Sequence, residues 1–267
     1  MVGDIEKVVF QEELDKLIQN REDLGDRIKL SEGRTVAGYD FGGKDLYNST
    51  LAGVSFVGCD FESADIHHCN FSGAHFNNCS LERAMANESN FDGATIEQSS
   101  LDFACFTESS LVESSLLSNT YLGTTFEGAT MTRALFLWGA FGDGRTFCNF
   151  SGANLMNTRI EFADMSHIEA HFCDFSGANI RQTSLAHADL QGSKFHSVSM
   201  AGVSFQEAHM WKTHFFSTNL CTVDFSGAAL AGSRFEFCDL QGTGLSQVDL
   251  KDVIIEDCSP IVETKRW

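Results

Sequence analysis

From Phe41 onward a bulky residue returns at every fifth position, and that period decides what the chain can become. The series runs Phe41, Leu46, Leu51, Phe56, Phe61, Ile66, Phe71, Phe76 and Leu81, then through Phe91 to Phe141, with Ala86 as its one small member. It resumes one position out of phase at Phe150 and continues to Ile255, with Ala170 as its only small member. The two series hold 21 and 22 repeats, 43 in all. A period of five is neither the period of about 3.6 of a helix nor the period of about 2 of a plain strand. Two residues before each bulky position sits a small one, as at Cys59, Ala64, Cys69, Ala74, Ala153 and Ala188. Outside Tyr39, Lys44, Asn119 and Ile168, that position holds only Ala, Cys, Ser, Thr, Gly or Val. Two inward positions of fixed and different size in every five residues describe a narrow coil filled by its own side chains.

The motif small–(Asp/Asn)–(Leu/Phe)–x–x stands at Cys59-Asp60-Phe61, Ala153-Asn154-Leu155 and Ala188-Asp189-Leu190, and it resembles the pentapeptide-repeat family over about residues 41–257. The resemblance implies an all-β fold, a right-handed quadrilateral parallel β-helix with one repeat per side and about eleven coils. At a strand spacing of about 4.8 Å such a rod is roughly 50 Å long. The recurrent Ser-Gly-Ala segments at 72–74, 151–153, 176–178 and 226–228 fit its corners, where Gly and Ser tolerate turn geometry. Stacked coils have open edges only at the rod ends. Residues 1–40 are expected to form an N-terminal helical cap, with Asp4 as N-cap and Ile5, Val8, Val9, Leu14, Leu17 and Ile18 on one face to about Arg21. Arg27-Ile28-Lys29-Leu30 reads as a short strand leading into the first coil, and residues 258–267 as a polar C-terminal tail too short for a helical cap.

Composition narrows the function classes. The 37 acids against 18 bases give a net charge of −19, which repels phosphate backbones and anionic membrane surfaces. Direct nucleic-acid binding and membrane association are therefore not expected. The N-terminal Met1-Val2-Gly3-Asp4-Ile5-Glu6 has neither a basic region nor an apolar run, and the nine cysteines then read as reduced thiols in a cytoplasmic protein. Nucleotide-loop, nucleophile-elbow and zinc-helix motifs are all missing, and a filled coil has no concave apolar pocket. The expectation is a non-enzymatic protein without a cofactor.

Several features carry a structural and a functional reading side by side. Cys59, Cys69, Cys79, Cys148, Cys173 and Cys238 occupy the small inward site, where sulfur fills space as a small hydrophobe. His167, His187 and Glu207 lie 20 residues apart and should stack in one outward column, as polar neighbours or as ligands of a metal. Residues 46–132 hold eleven acids and the single base Arg83. Glu62, Glu82 and Asp102 share one column there, as Glu88 and Glu108 share another. These columns read as a solvated wall or as a partner-binding face. Lys194, His214 and Arg234 form a mildly basic column further on. The phase shift from Phe141 to Phe150 fits one repeat plus four extra residues, so Gly142-Asp143-Gly144-Arg145-Thr146-Phe147 is expected to project as a loop. Just before it Leu135, Leu137 and Trp138 occupy outward positions that a solvated wall avoids. With Asp143, Arg145 and Phe147 they make a candidate contact surface, unless Phe147 folds back over Trp138 and plugs the bulge.

Two functions follow as expectations. The first is a protein–protein interaction scaffold or regulator that uses the solenoid faces and the projecting loop. The second comes from the resemblance: members of the family imitate duplex DNA, engage DNA gyrase or topoisomerase and confer resistance to quinolone-like poisons. Length, acidity and loop suit that branch, whereas its members dimerise through a C-terminal helix that this chain lacks in sequence.

Overall fold

The computed structural model describes residues 11–24, 27–142 and 145–259, and shows one short helix followed by a parallel β-solenoid of about eleven turns. The residues assigned above to the N-cap and the start of the helix, Asp4, Ile5, Val8 and Val9, lie outside the described residues, as do Asp143 and the tail from Pro260.

Each coil has four walls, and each wall stacks on the same wall of the next coil. The first is a nine-stranded parallel sheet whose inward residues pair as Val36–Phe56–Phe76–Ile96–Leu116–Phe136, then Ile160, Ile180 and Met200. The second is a ladder of single bridges from Asp60 through Ser80, Ser100, Thr120 and Ala140 to Asp164. The third runs from Asp45 through Asp65, Met85, Cys105, Thr125 and Asn149 to Glu169. The fourth begins as bridges and becomes a four-stranded sheet over Phe195–Phe215–Phe235–Ile255.

The motif is a hydrogen-bonding device. The Asp or Asn before each bulky residue accepts from the backbone N–H two residues on, as Asp60 does from Glu62 at 2.8 Å and Asn70 from Ser72 at 3.0 Å. This local turn bond shapes each wall. The small inward side chain reaches the carbonyl of the preceding coil: Cys69 Sγ lies 2.9 Å from Leu46 O, Thr124 Oγ1 2.8 Å from Leu101 O and Ser233 Oγ 2.6 Å from Met210 O. A buried hydroxyl or thiol placed this way keeps a hydrogen bond, although Ser49 Oγ is buried without one. Asn119 is the exception that fits, because it accepts from Ser99 N at 2.9 Å and donates to Ile96 O at 2.8 Å.

The bulky residues stack into continuous interior columns. Phe106, Phe126 and Phe150 follow one another with ring centroids 5.2 and 5.0 Å apart and planes within 22°. Phe175, Phe195, Phe215 and Phe235 do the same at 4.8–4.9 Å. Corner residues adopt left-handed backbone throughout, non-glycines such as Asn78, Trp138 and Phe162 included.

Helix α1 (Gln11–Leu24) is docked on the N-terminal end of the rod, with Leu14 and Ile18 buried. Tyr39 donates to Asp15 at 2.7 Å, Arg34 pairs with Glu13 at 2.9 Å, and the largely buried Arg21 pairs with Asp45 at 3.0 Å. The ladder itself begins ahead of Phe41: Lys29 bridges Thr50, Ile28 and Leu30 are buried, and strand Thr35–Ala37 pairs with Ser55–Val57. Ser31 stands where the five-residue period asks for a bulky residue, which hides this stretch from the pattern. At the other end Ser259 still pairs with Asp239, and Leu250, Val253 and Ile255 are only partly buried.

Candidate interaction surface

The second wall and the two corners that bound it gather most of the residues singled out above. The acidic column is real: the amides of Ser63 and Arg83 bond to the carbonyls of Glu82 and Asp102, so Glu62, Glu82 and Asp102 stand one above another. Its charge is partly cancelled. Arg83, at the adjoining corner, pairs with Glu62 at 3.3 Å and also with Glu82. Asp102 accepts from Leu122 N at 2.9 Å. The Arg83 guanidinium then lies 5.3 Å over the ring of Phe103, which in turn covers Gly123. A Cβ on Gly123 would sit 2.7 Å from that ring, and only glycine leaves the ring its place.

The insertion falls on this same corner, one coil up. Thr120 pairs with Ala140, whereas Ala140 pairs with Asp164, so the coil between them carries four extra residues. An antiparallel bridge between Gly142 and Phe147 closes the insertion as a small hairpin. Arg145 is exposed. Phe147 does not fold back over Trp138. Its ring stacks on His167 at 5.9 Å and 26°. The reason is topological: Trp138 sits at the corner before the wall and Phe147 at the corner after it.

Trp138 has a different partner. Its ring stacks on Phe162 at 6.0 Å and 19°, and the two are 61% and 46% exposed, far more than any inward aromatic. Leu137 and Leu117 lie beside them on the outer side of the first wall, half-buried, with Leu137 in register with Glu161 and Leu135 with Arg159. Arg159 and Glu161 form an ion pair at 2.8 Å, and that guanidinium holds the Glu161 carboxyl below its ordinary range. The structure therefore splits the predicted cluster. Leu135 and Leu137 belong to the first wall, Trp138 and Phe162 to one edge of the second, and Phe147 with His167 to its other edge. Phe162 was not singled out from sequence, although it is half of the exposed pair.

The histidine column stacks as its spacing predicts. His167 and His187 lie parallel within 4° at 4.6 Å, and His187 Nδ1 is 3.5 Å from Glu207 Oε2. With Phe147, His171 and Asp189 they line a shallow cavity of about 210 Å³. Among the described residues no three ligating side chains are placed to share a metal ion. The cysteines are all free. Burial pushes the thiols of Cys69 and Cys173 up to about 12 and that of Cys238 up to about 11, so they are held as inert thiols.

A closed stack of four-walled coils, filled by its own side chains and decorated at its corners, defines the class: a parallel β-solenoid whose chemistry lies on its outer surface. The profile of the pentapeptide repeat region matches residues 188–261, and that of eight-copy pentapeptide repeats matches residues 45–78 and 74–111. The chain belongs to the pentapeptide-repeat family. No curated protein matches it. Among solved structures it resembles HetL, a pentapeptide repeat protein involved in heterocyst differentiation regulation from the cyanobacterium Nostoc sp. strain PCC 7120, at 18% identity, 90% of this chain, 92% of that chain and a TM-score of 0.34. It also resembles QnrB1, a plasmid-mediated fluoroquinolone resistance protein, at 13% identity, 83% of this chain, 91% of that chain and a TM-score of 0.35. A third is Rfr23 from the cyanobacterium Cyanothece 51142, at 17% identity, 42% of this chain, 86% of that chain and a TM-score of 0.35. At such scores none of the three carries a functional argument. Among the described residues no helix is long and apolar enough to cross a membrane.

Proposed function

We propose that this protein is a non-enzymatic interaction scaffold or regulator, and that the second wall with its two aromatic edges is the surface that engages another protein. The Trp138–Phe162 pair carries the reading: two large aromatic rings stay exposed at neighbouring corners of a rod whose interior has room for neither. Exposed Trp and neighbouring Arg are the residue types that dominate binding energy at protein interfaces. The hairpin raises Phe147 on the opposite edge, and small residues between them, Ala140 and Gly142, leave the wall open to a partner. The protein needs no cofactor for this role, and nine free thiols suit the reducing cytoplasm. The test is cross-linking capture in the source cytoplasm by wild type and by Trp138→Ala/Phe162→Ala. Partners held by the wild type and lost by a variant with unchanged circular dichroism support the surface; an identical set of partners rejects it.

The acidic column favours a second reading, a DNA-mimicking inhibitor or protector of DNA gyrase or topoisomerase. Glu62, Glu82 and Asp102 present carboxylates along one wall, though Arg83 neutralises part of that charge. Supercoiling by purified gyrase, titrated with this protein in the presence and absence of a quinolone, decides it. Inhibition that disappears when Glu62, Glu82 and Asp102 are changed to lysine supports mimicry. No effect of the folded wild type at micromolar concentration removes it.

A further inference from the structure

The fourth wall holds a histidine pair that the interaction surface does not use. His196 closes strand Lys194–His196 and His214 opens strand His214–Phe216 in the next coil, so the two are diagonal neighbours on the outer side of the sheet. His196 Nε2 lies 3.0 Å from His214 Nδ1, with the rings inclined at 79°. The other nitrogen of His214, Nε2, lies 3.2 Å from Glu236 Oε2. A carboxylate only accepts, so Nε2 carries the proton and Nδ1 keeps its lone pair toward His196. This is the arrangement around a metal-bound imidazole, where an outer carboxylate fixes the tautomer and raises ligand basicity.

We infer that His196 and His214 form a two-imidazole site for a divalent late first-row transition-metal ion, of the class of Ni²⁺, Cu²⁺ or Zn²⁺, with water completing the coordination. An ion placed about 2.0–2.1 Å from both nitrogens would subtend an angle of about 95° at their 3.0 Å separation, within the range of square and octahedral sites. The ion replaces the proton that bridges the two rings. His196 is reprotonated at Nδ1, so both imidazoles stay neutral and no net proton is released. Only two protein ligands converge, in keeping with the lack of any triple ligand group among the described residues. Phe216 packs against His196 at 5.8 Å and against Phe237 at 5.5 Å, which limits the freedom of the pincer. The nearby Arg234 is occupied by Glu236 at 3.0 Å and Glu256 at 3.9 Å, while Lys194 opposes a cation and sets a limit on affinity.

The other stacked pair supplies the internal control. His167 and His187 are stacked parallel at 4.6 Å, so no ion can lie in both ring planes, where the imidazole lone pairs point. One ion cannot join them without a ring turning out of the stack.

The experiment is a calorimetric titration of the tag-free, full-length chain with NiCl₂. One equivalent of Ni²⁺ is expected to bind, at least ten-fold more weakly to His196→Ala and to His214→Ala and with unchanged affinity to His187→Ala. Glu236→Gln should weaken binding about ten-fold, because the outer acceptor loses its negative charge. Electron paramagnetic resonance with Cu²⁺ should show imidazole nitrogen couplings that vanish in the same two variants, and His196→Gln and His214→Gln repeat the test with side-chain bulk retained. Binding that survives the His196 and His214 substitutions, or a folded wild type that takes up no Ni²⁺ at millimolar concentration, overturns the assignment.

Discussion

Phe126→Ala is the sharpest test of how this rod is held together. The ring is wholly buried and sits mid-stack, 5.2 Å from Phe106 and 5.0 Å from Phe150. A buried Phe→Ala change costs about 3–5 kcal/mol, the spread reflecting how far the neighbours can collapse into the space. Here collapse is blocked. Phe126 N bonds to Asn149 O at 2.6 Å and Phe106 N to Thr125 O at 2.8 Å, and these ladders fix the spacing of the coils. Neither neighbouring ring can advance along the axis without breaking them. The cost should therefore lie near the top of the range, about 4–5 kcal/mol, and for a chain of this size the melting temperature should fall by about 10 °C or more. Urea unfolding followed by circular dichroism measures the first and calorimetry the second. Because each coil touches only its neighbours, hydrogen exchange should also quicken most in the coils on either side. A loss below about 1.5 kcal/mol would refute the reasoning, since it would mean that the coils close up and that the interior columns are not rigidly spaced.

Other consequences follow from the same geometry. Gly192→Ala should destabilise by about 1–2 kcal/mol, because its φ is +71° and a new Cβ would lie 2.6 Å from the exposed ring of Phe172. In a Phe172→Ala background thermal melts should recover the steric part of that loss but not the backbone part. Trp138→Ala/Phe162→Ala should change stability by no more than about 1 kcal/mol in urea unfolding, as removal of exposed side chains does, while abolishing partner capture. Ellman's reagent at pH 8 should react in the native protein only with Cys105 and Cys221, the two cysteines that are not buried, and with all nine in denaturant. Burial raises the thiols of Cys69, Cys173 and Cys238, so their reactive thiolate is scarce at that pH, while Cys59, which its neighbour Cys79 lowers, is protected by burial alone. Rapid labelling of Cys69 or Cys173 in the folded chain would contradict the packing. Arg21→Ala should speed hydrogen exchange in residues 11–24 without altering the coils beyond Asp45, since Arg21 joins α1 to the first coil.

The walls were legible in the sequence because a narrow filled coil allows no freedom at two positions in five. Phe41 to Ile255 announce the fold by size alone, and the phase shift at Phe141 announces the four-residue insertion. Columns such as Glu62, Glu82 and Asp102 follow by counting in twenties. What counting in twenties misses is the coil that breaks it. Trp138 meets Phe162 only when the four inserted residues are carried into the register, which moves its neighbour from position 158 to position 162. The same arithmetic separates Trp138 from Phe147 by a whole wall. Charge pairing was harder to foresee: Arg83 stands one residue after Glu82 in sequence, yet its reach to Glu62 depends on the corner turning its side chain back over the second wall. Ser31 breaks the period ahead of Phe41, so the earliest pairing, Lys29 with Thr50, lies outside the five-residue pattern and was legible only as the short strand Arg27-Ile28-Lys29-Leu30.

In this architecture stability and recognition are assigned to different residues. The inward positions are fixed by packing, and nearly every one of them is filled by the side chain that the lattice requires. Outward positions are constrained only at the corners, where left-handed backbone favours glycine and small polar residues. Large aromatic rings at such corners bring little packing in return for the conformational cost, of about 1 kcal/mol or more for a non-glycine. Trp138, Phe162, Phe103 and Phe172 all stand there, each exposed. Phe103 and Phe172 recover some of that cost by covering Gly123 and Gly192. Trp138 and Phe162 cover no such glycine and stack on one another, and both remain open to solvent. That imbalance distinguishes them from the other corner aromatics and places the centre of the proposed interface at their edge of the second wall, with the hairpin and Phe147 on the far side setting its width.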